Sequence, residues 1–184
     1  MGYRYDWSLV TANLDRLFVG LGVLLLVSIL GYALAMTVGL VLALLRMSPF
    51  VPVRYPATLV VEVFRGIPLF LLLFLVYYGL PTVGSLVLPP ITAAVISLAI
   101  TGAAYAAEIY RGALLSVENG QREAADALGL SGLQSLRDVV LPQAFRIAVP
   151  PGLSLFIALL KGATFVSVIG VADMFYVSRD ISLQ

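Results

Sequence analysis

Between Leu17 and Leu45 the chain runs for 29 residues without one charged side chain. About 20 apolar residues in helical form cross a hydrocarbon core roughly 30 Å thick. In lipid a helix satisfies its own backbone N–H and C=O groups, which is why helices can span there. The run therefore predicts a membrane helix long enough to tilt, ended by Arg46, Ser48 and Pro49. The pattern recurs. Ala57–Leu80 reads as a second span, with Glu62 and Arg65 in its first half. Leu86–Ala107 reads as a third, opened by Pro89-Pro90 and closed at Glu108. Ile147–Ala172 reads as a fourth, interrupted by Lys161. Pro150, Pro151 and Gly152 lie inside it and predict a kinked or broken helix that faces protein rather than lipid. The expectation is an all-α membrane protein forming one domain over residues 1–184. Its spans are about 17–45, 57–80, 86–107 and 147–172, with a polar segment at about 108–146.

Composition agrees and excludes most chemistry. The chain is 61% hydrophobic and 11% charged, against about 25% charge in soluble domains. It has no Cys and no His. Disulfides, thiolate metal sites, Ser-His and Cys-His nucleophilic pairs and almost every zinc site are thereby excluded. An aspartyl intramembrane protease needs two membrane aspartates, and Asp173 is the only Asp in or at the end of a span. There is no G-x-x-x-x-G-K-[ST] stretch to cradle a nucleotide. No catalytic residue, metal or cofactor is expected. The basic residues are scattered, so nucleic acid is not an expected partner. The start, "MGYRYDWSLVTANLDRL", lacks the short apolar core of a cleaved signal and the Ser or Thr of a myristoylation site.

Basic residues in short loops set the orientation. The loop "RMSPFVPVRYP" holds Arg46 and Arg54 and no acid, whereas "PTVGSLVLPP" holds no charge. The polar segment holds Arg111, Arg122, Arg137 and Arg146. The first loop and the polar segment are thus expected in the cytoplasm, and the N-terminus outside. Arg4 and Arg16 run against the rule, each with an acid nearby.

The segment "ENGQREAADALGLSGLQSLRDVVLPQAFR", residues 118–146, is too polar for lipid. Asn119 is a candidate N-cap, with Gly120 freeing the chain to turn. Glu123 would lie near the positive end of the helix that follows. Ala124, Ala125, Ala127 and Leu128 favour helix and leave a surface of small residues. Gly129 suits the left-handed position that ends it. Ser131 and Gln134 form an S-x-x-Q capping box. Leu133, Leu136, Val139 and Val140 recur at helical spacing, and Pro142 suits the first turn of the fourth span. Two short helices and a tight corner are expected across the cytoplasmic end of the bundle. On physical grounds they read first as a solvated loop with some helix, and otherwise as a handle, with Arg122 and Glu123 as charged contacts for a soluble partner.

The spacing has a known counterpart. "EAADALGLSGLQSLRDVVLP" resembles the EAA loop in membrane subunits of ATP-binding-cassette (ABC) importers. Glu123, Ala124, Ala125, Gly129, Leu141 and Pro142 match, and Val139 stands where Ile is usual. "EVFRGIPLFLLLFLVYYGLP", "AAYAAEIYRGALLSVENGQREAADALG" and "LPQAFRIAVPP" resemble stretches of the polar amino-acid uptake branch. This resemblance implies a type I (MetI-like) permease bundle with cytoplasmic coupling helices in the bacterial inner membrane. It implies an ABC ATPase subunit, a second permease subunit in a homodimer or heterodimer, and a periplasmic or lipid-anchored substrate-binding protein as partners. ATP hydrolysis on the partner would drive alternating access for a polar amino acid or related zwitterion. Where the family reads Leu-Lys-Asp-Thr-Ser-Leu this chain has "LKGATF", and Ser154 replaces a usual Asn. The family's fifth span would follow "VADMF", so four spans are expected here, from a fragment or a short subunit. A secondary transporter, or a non-transporting fragment, would explain the spans but not the EAA spacing.

Ionisable and hydroxyl groups inside spans carry two readings each. Glu62 with Arg65, and Glu108 with Arg111, are three apart and can pair along one helix, structurally or at the ATPase contact. Lys161 can snorkel or, with Thr164, line the substrate path. Thr101, Tyr105 and Ser154 can bond back to their own helix or face that path.

Overall fold

The computed structural model describes residues 7–84 and 86–183, and among them there is no strand. The reading of the first six residues, Arg4 included, lies outside that range. A short α1 (Trp7–Ala12) leads into α2 (Leu14–Arg46), the first expected span extended by a few residues. Next come α3 (Val51–Gly66), α4 (Leu69–Phe74), a π turn (Leu75–Gly79) and α5 (Leu80–Gly84). α6 (Pro90–Leu115) carries the third expected span beyond the apolar stretch. α7 (Asn119–Ala127) and α8 (Gly132–Gln134) follow. A second π turn (Ser135–Val140) passes into α9 (Leu141–Gly162), a 3₁₀ segment (Ala163–Ile169) and α10 (Met174–Ser182).

Lipid offers helices little hydrophobic reason to associate, so close approach of small residues does that work. α2 and α6 meet along such a seam. A Cβ on Gly31 would stand 2.7 Å from Leu98 Cβ, one on Gly102 2.6 Å from Ala35 Cβ, and one on Gly39 2.5 Å from Ala106 Cβ. Val27, Ala35, Leu98 and Ala106 are buried around the seam. α9 packs on the other side, where the Tyr32 hydroxyl donates to the Gly152 carbonyl at 3.2 Å.

Two expectations about spans change. Ala57–Leu80 is not one straight helix: it breaks at Ile67-Pro68, and the halves meet at 103°. Pro68 has no N–H to donate and forces the residue before it out of helix. Ile67 is accordingly extended, with φ −87° and ψ 123°. With this bent pair counted as one, the described residues hold four segments able to cross a membrane, and otherwise three. The fourth helix, by contrast, is not broken at Pro150-Pro151: α9 runs through both prolines. Its irregularities lie at the two ends, in the π turn and the 3₁₀ segment. Pro142 stands in the first turn of α9, as expected. The wider π turn immediately before it accommodates its missing N–H.

After Gly170, α10 folds back onto α2. The backbone of Asp173 and Met174 would lie 2.9 Å from a Cβ on Gly20. Asp173 is fully buried and caps α10, its Oδ1 accepting from the Tyr176 N–H at 2.9 Å. Arg16 pairs with Asp180 across the same contact.

Candidate functional site

Three features occupy the polar side of this bundle: a helical corner, an ionic cluster and a pair of adjoining cavities.

The corner follows from local sequence. α7 ends at Ala127 with Leu128 as its C-cap, and Gly129 takes φ +76°, the left-handed conformation that only Gly adopts freely. Ser131 then caps α8. The Gln134 N–H donates to Ser131 Oγ at 3.4 Å, and the Ser131 N–H donates to Gln134 Oε1 at 2.9 Å. The capping box and the left-handed Gly stand where the sequence puts them. Asn119 is the first residue of α7 rather than its cap, which is Glu118. Glu123 therefore sits in the second turn, further from the positive end than expected. Ala125 is buried against the bundle, so the small exposed surface narrows to Ala124, Ala127 and Gly129, flanked by Arg122 and Glu123. Leu128 and Leu133 are strongly exposed at the corner's tip, and Val140 is buried beneath it. Leu141 and Pro142 are exposed at the start of α9.

The ionic cluster joins what the sequence suggested as two separate pairs. Arg46, at the end of α2, reaches both acids: Nη1 donates to Glu108 at 2.9 Å and Nη2 to Glu62 at 3.3 Å. Arg111 donates to the other oxygen of Glu108 at 2.9 Å. Arg65 lies 3.6 Å from Glu108 and 3.9 Å from Glu62. Three arginines and two glutamates thus tie the ends of α2, α3 and α6 together. Arg46 is its best-buried member, with a side chain 8% exposed. In the sequence Arg46 serves to end a span and to orient a loop, not to pair with an acid. The available signal was a charge terminating one span while acids mark two others.

The break at Ile67-Pro68 lines a cavity of about 410 Å³, and a second of about 470 Å³ adjoins it, sharing Arg65, Tyr105, Leu155 and Ala158. Of the five hydroxyl and amine residues expected on a path, three are here. Thr101 and Tyr105 line the first cavity, Tyr105 and Ser154 the second. Lys161 and Thr164 line neither: Lys161 is exposed, and the Thr164 hydroxyl donates to the Lys161 carbonyl at 2.8 Å. Ser154 does what most helix hydroxyls do and donates to the Pro150 carbonyl. Ser28, Ser97 and Thr37 do the same. Thr101 does not. It is buried and its Oγ1 has no partner, a condition that costs about 1–3 kcal/mol. Arg65 Nε is also buried without a partner, while its guanidinium lies 5.5 Å from the Tyr105 ring centre. The Tyr105 hydroxyl donates to the Arg65 carbonyl at 3.4 Å. The departure "LKGATF" has a structural counterpart: a Cβ on Gly162 would run into Leu69 Cδ2, so Leu69 fills that space.

A helical bundle bent at mid-chain, with a polar capped corner between two spans, is the architecture of a membrane transport subunit. Residues 35–182 match the family model for the binding-protein-dependent transport system inner membrane component. The chain belongs to this family, the membrane-spanning permease subunits of ABC importers. It is 37% identical over 172 residues to the probable amino-acid ABC transporter permease protein YckA of Bacillus subtilis (strain 168), covering 94% of this chain and 76% of that protein. It superposes with a TM-score of 0.91 on a chain of an amino acid ABC transporter crystallised with histidines, 36% identical, covering 97% of this chain and 83% of the other. The methionine ABC transporter MetNI in an inward-facing form shares the fold, with a TM-score of 0.68 at 20% identity, covering 96% of this chain and 82% of the other.

Proposed function

We propose that this subunit imports polar amino acids or a related small zwitterion across the bacterial inner membrane. It is not itself catalytic. ATP hydrolysis on a separate ATPase switches the bundle between inward and outward access. The ATPase docks at the α7–α8 corner through Arg122, Glu123, Ala124, Ala125, Gly129, Leu141 and Pro142, Ala125 acting from beneath the surface. A second permease subunit, identical or related, completes the pathway, and a periplasmic or lipid-anchored binding protein delivers substrate. The corner is cytoplasmic and the N-terminus outside. The amino-acid class is supported by the names of two relatives that are more than 30% identical. The observation that carries the coupling role is the corner: a left-handed Gly129 and a closed capping box project exposed Leu128 and Leu133 away from the bundle.

A substitution at Gly129 tests it. A Cβ on Gly129 would meet nothing within 4 Å, so a side chain there starts out into open space. It strains a left-handed position by about 1–2 kcal/mol and obstructs a docking partner. Gly129→Trp, and separately Glu123→Lys, are expected to reduce ATPase capture from detergent extracts at least tenfold with the permease still folded. Equal capture by wild type and both variants would sink the docking role.

A further inference from the structure

α2 and α9 are joined where the Tyr32 hydroxyl donates to the Gly152 carbonyl. One turn back along α9, at Ala148, the space between them is unfilled and forms a cavity of about 350 Å³. It reaches Leu141, beside the capped corner, a length of about 10 Å by the helical rise. The buried Ala113, Ala144 and Ala148 line it, together with the exposed Leu40 and Phe145. Small buried residues between large exposed ones make a groove. Only Tyr110 gives it a polar side chain. Tyr110 is half-buried, and among the described residues its hydroxyl has no hydrogen-bond partner. The groove faces the bilayer. At 3.6 residues per turn, Tyr110 stands about 180° round α6 from Thr101, so the groove lies on the opposite face of that helix from the cavities beside Ile67-Pro68. Leu44 on α2 and Val149 on α9, each one turn from Leu40 or Phe145, are exposed and apolar. The groove is thus continuous with the surface that hydrocarbon covers. Its level is close to the membrane boundary, since Arg46 reaches Glu108 only two residues from Tyr110. Tyrosine favours that level, where headgroups begin.

We propose that this groove holds one acyl chain of a bilayer phospholipid, and that the Tyr110 hydroxyl donates to the ester carbonyl of that chain. A protein helix does not fit: a 10 Å length of helix about 10 Å across takes up about 800 Å³, more than twice the space present. A single extended hydrocarbon chain is far thinner. Its methylenes give the buried alanines contacts that α2 and α9 leave unmade, and an empty apolar space forfeits such contacts. The ester oxygen gives the hydroxyl an acceptor at a depth where water is scarce and an unmet hydroxyl is costly. The site is a structural lipid position between α2, α6 and α9, and it does not depend on what the importer carries.

The test uses the assembled permease–ATPase complex in vesicles of dioleoylphosphatidylcholine that carry a trace of the same lipid with a photoreactive diazirine on one acyl chain. Label is located by fragment mass spectrometry. Wild type is expected to carry about tenfold more label at Ala113, Ala144 and Phe145 than at Leu26 and Ile29, which are exposed on α2 outside the groove. Replacing the bulk lipid by its ether-linked counterpart, which has no ester carbonyl, should raise the groove label severalfold, because the ester-linked probe then meets weaker competition. Tyr110→Phe removes one oxygen without crowding the groove, and it should abolish that rise. Ala148→Phe fills the groove and should bring its label down to the level at Leu26. Should Ala148→Phe fail to assemble, Leu40→Trp narrows the same groove from its exposed side. Groove label no higher than at Leu26 in wild type, as a second copy of this chain or an ATPase segment seated there would give, would overturn the proposal. So would label that survives both Ala148→Phe and Leu40→Trp, or the same response to ether-linked lipid in wild type and Tyr110→Phe.

Discussion

Gly39→Leu is expected to abolish accumulation of folded permease in membranes. A side chain at 39 points into the α2–α6 seam. Its first carbon alone would lie 2.5 Å from Ala106 Cβ, 2.9 Å from the Ala103 carbonyl and 3.1 Å from the Ala107 amide nitrogen. Two of these are backbone atoms of a buried helix, and they cannot rotate away. Overpacking typically costs about 1–3 kcal/mol, occasionally more, and here the whole seam must part to admit the leucine. An effect of on the order of 3 kcal/mol or more is expected, read as loss of the monodisperse species in detergent. Gly22→Leu is the matched control. It lies on the same helix, its Cβ meets nothing within 4 Å, and it is expected to leave yield and melting temperature within error. Equal behaviour of the two variants would remove the seam from the account of assembly.

Arg46→Ala is expected to lower stability by about 2 kcal/mol, within the range for hydrogen bonds to charged groups. Glu108 keeps Arg111 at 2.9 Å and Arg65 at 3.6 Å, so the loss is that of the fork by which α2 holds α3 and α6. Arg46 bridges acids on two other helices with two separate nitrogens. Lysine carries the charge on a single point and cannot span that fork. Arg46→Lys should therefore recover only part of the loss. Thermal unfolding in detergent measures both. Exposed pairs serve as the contrast. Arg137–Asp138, at 3.8 Å and largely solvent-exposed, belongs to the class worth about 0.2–1 kcal/mol, and Arg137→Ala should shift melting little.

What the sequence disclosed, and what it concealed, divides along physical lines. Long uncharged runs are read directly because the bilayer imposes their length, and α2 and α6 lie close to their expected bounds. The corner was legible because it is built from neighbours: a left-handed Gly129 and a Ser131–Gln134 box involve no residue more than a few positions away. Arg46 was legible as a stop signal and a loop charge, not as a bridge. Its partners are 16 and 62 residues distant, and such pairing leaves no period in the chain. Proline misled in both directions for one reason. Its cost depends on what surrounds the missing N–H, so α9 absorbs Pro150 and Pro151 while the Ile67-Pro68 step breaks a span. The path residues divided similarly. A hydroxyl's type says nothing of whether its own helix occupies it, and only the fold separates Thr101 from Ser154.

The uninterrupted helical run from Gly132 to Ile169 has a mechanical consequence. No loop intervenes along these 38 residues, which at 1.5 Å per residue make a rod about 57 Å long. Near its middle, Gly152 is held to α2 by the Tyr32 hydroxyl. The arms on either side of that contact are about 30 Å and 26 Å by the same rise. The capped corner and the Ile169 end thus belong to one helical segment with no loop between them, so a load on the corner bears on the far end through continuous backbone hydrogen bonds.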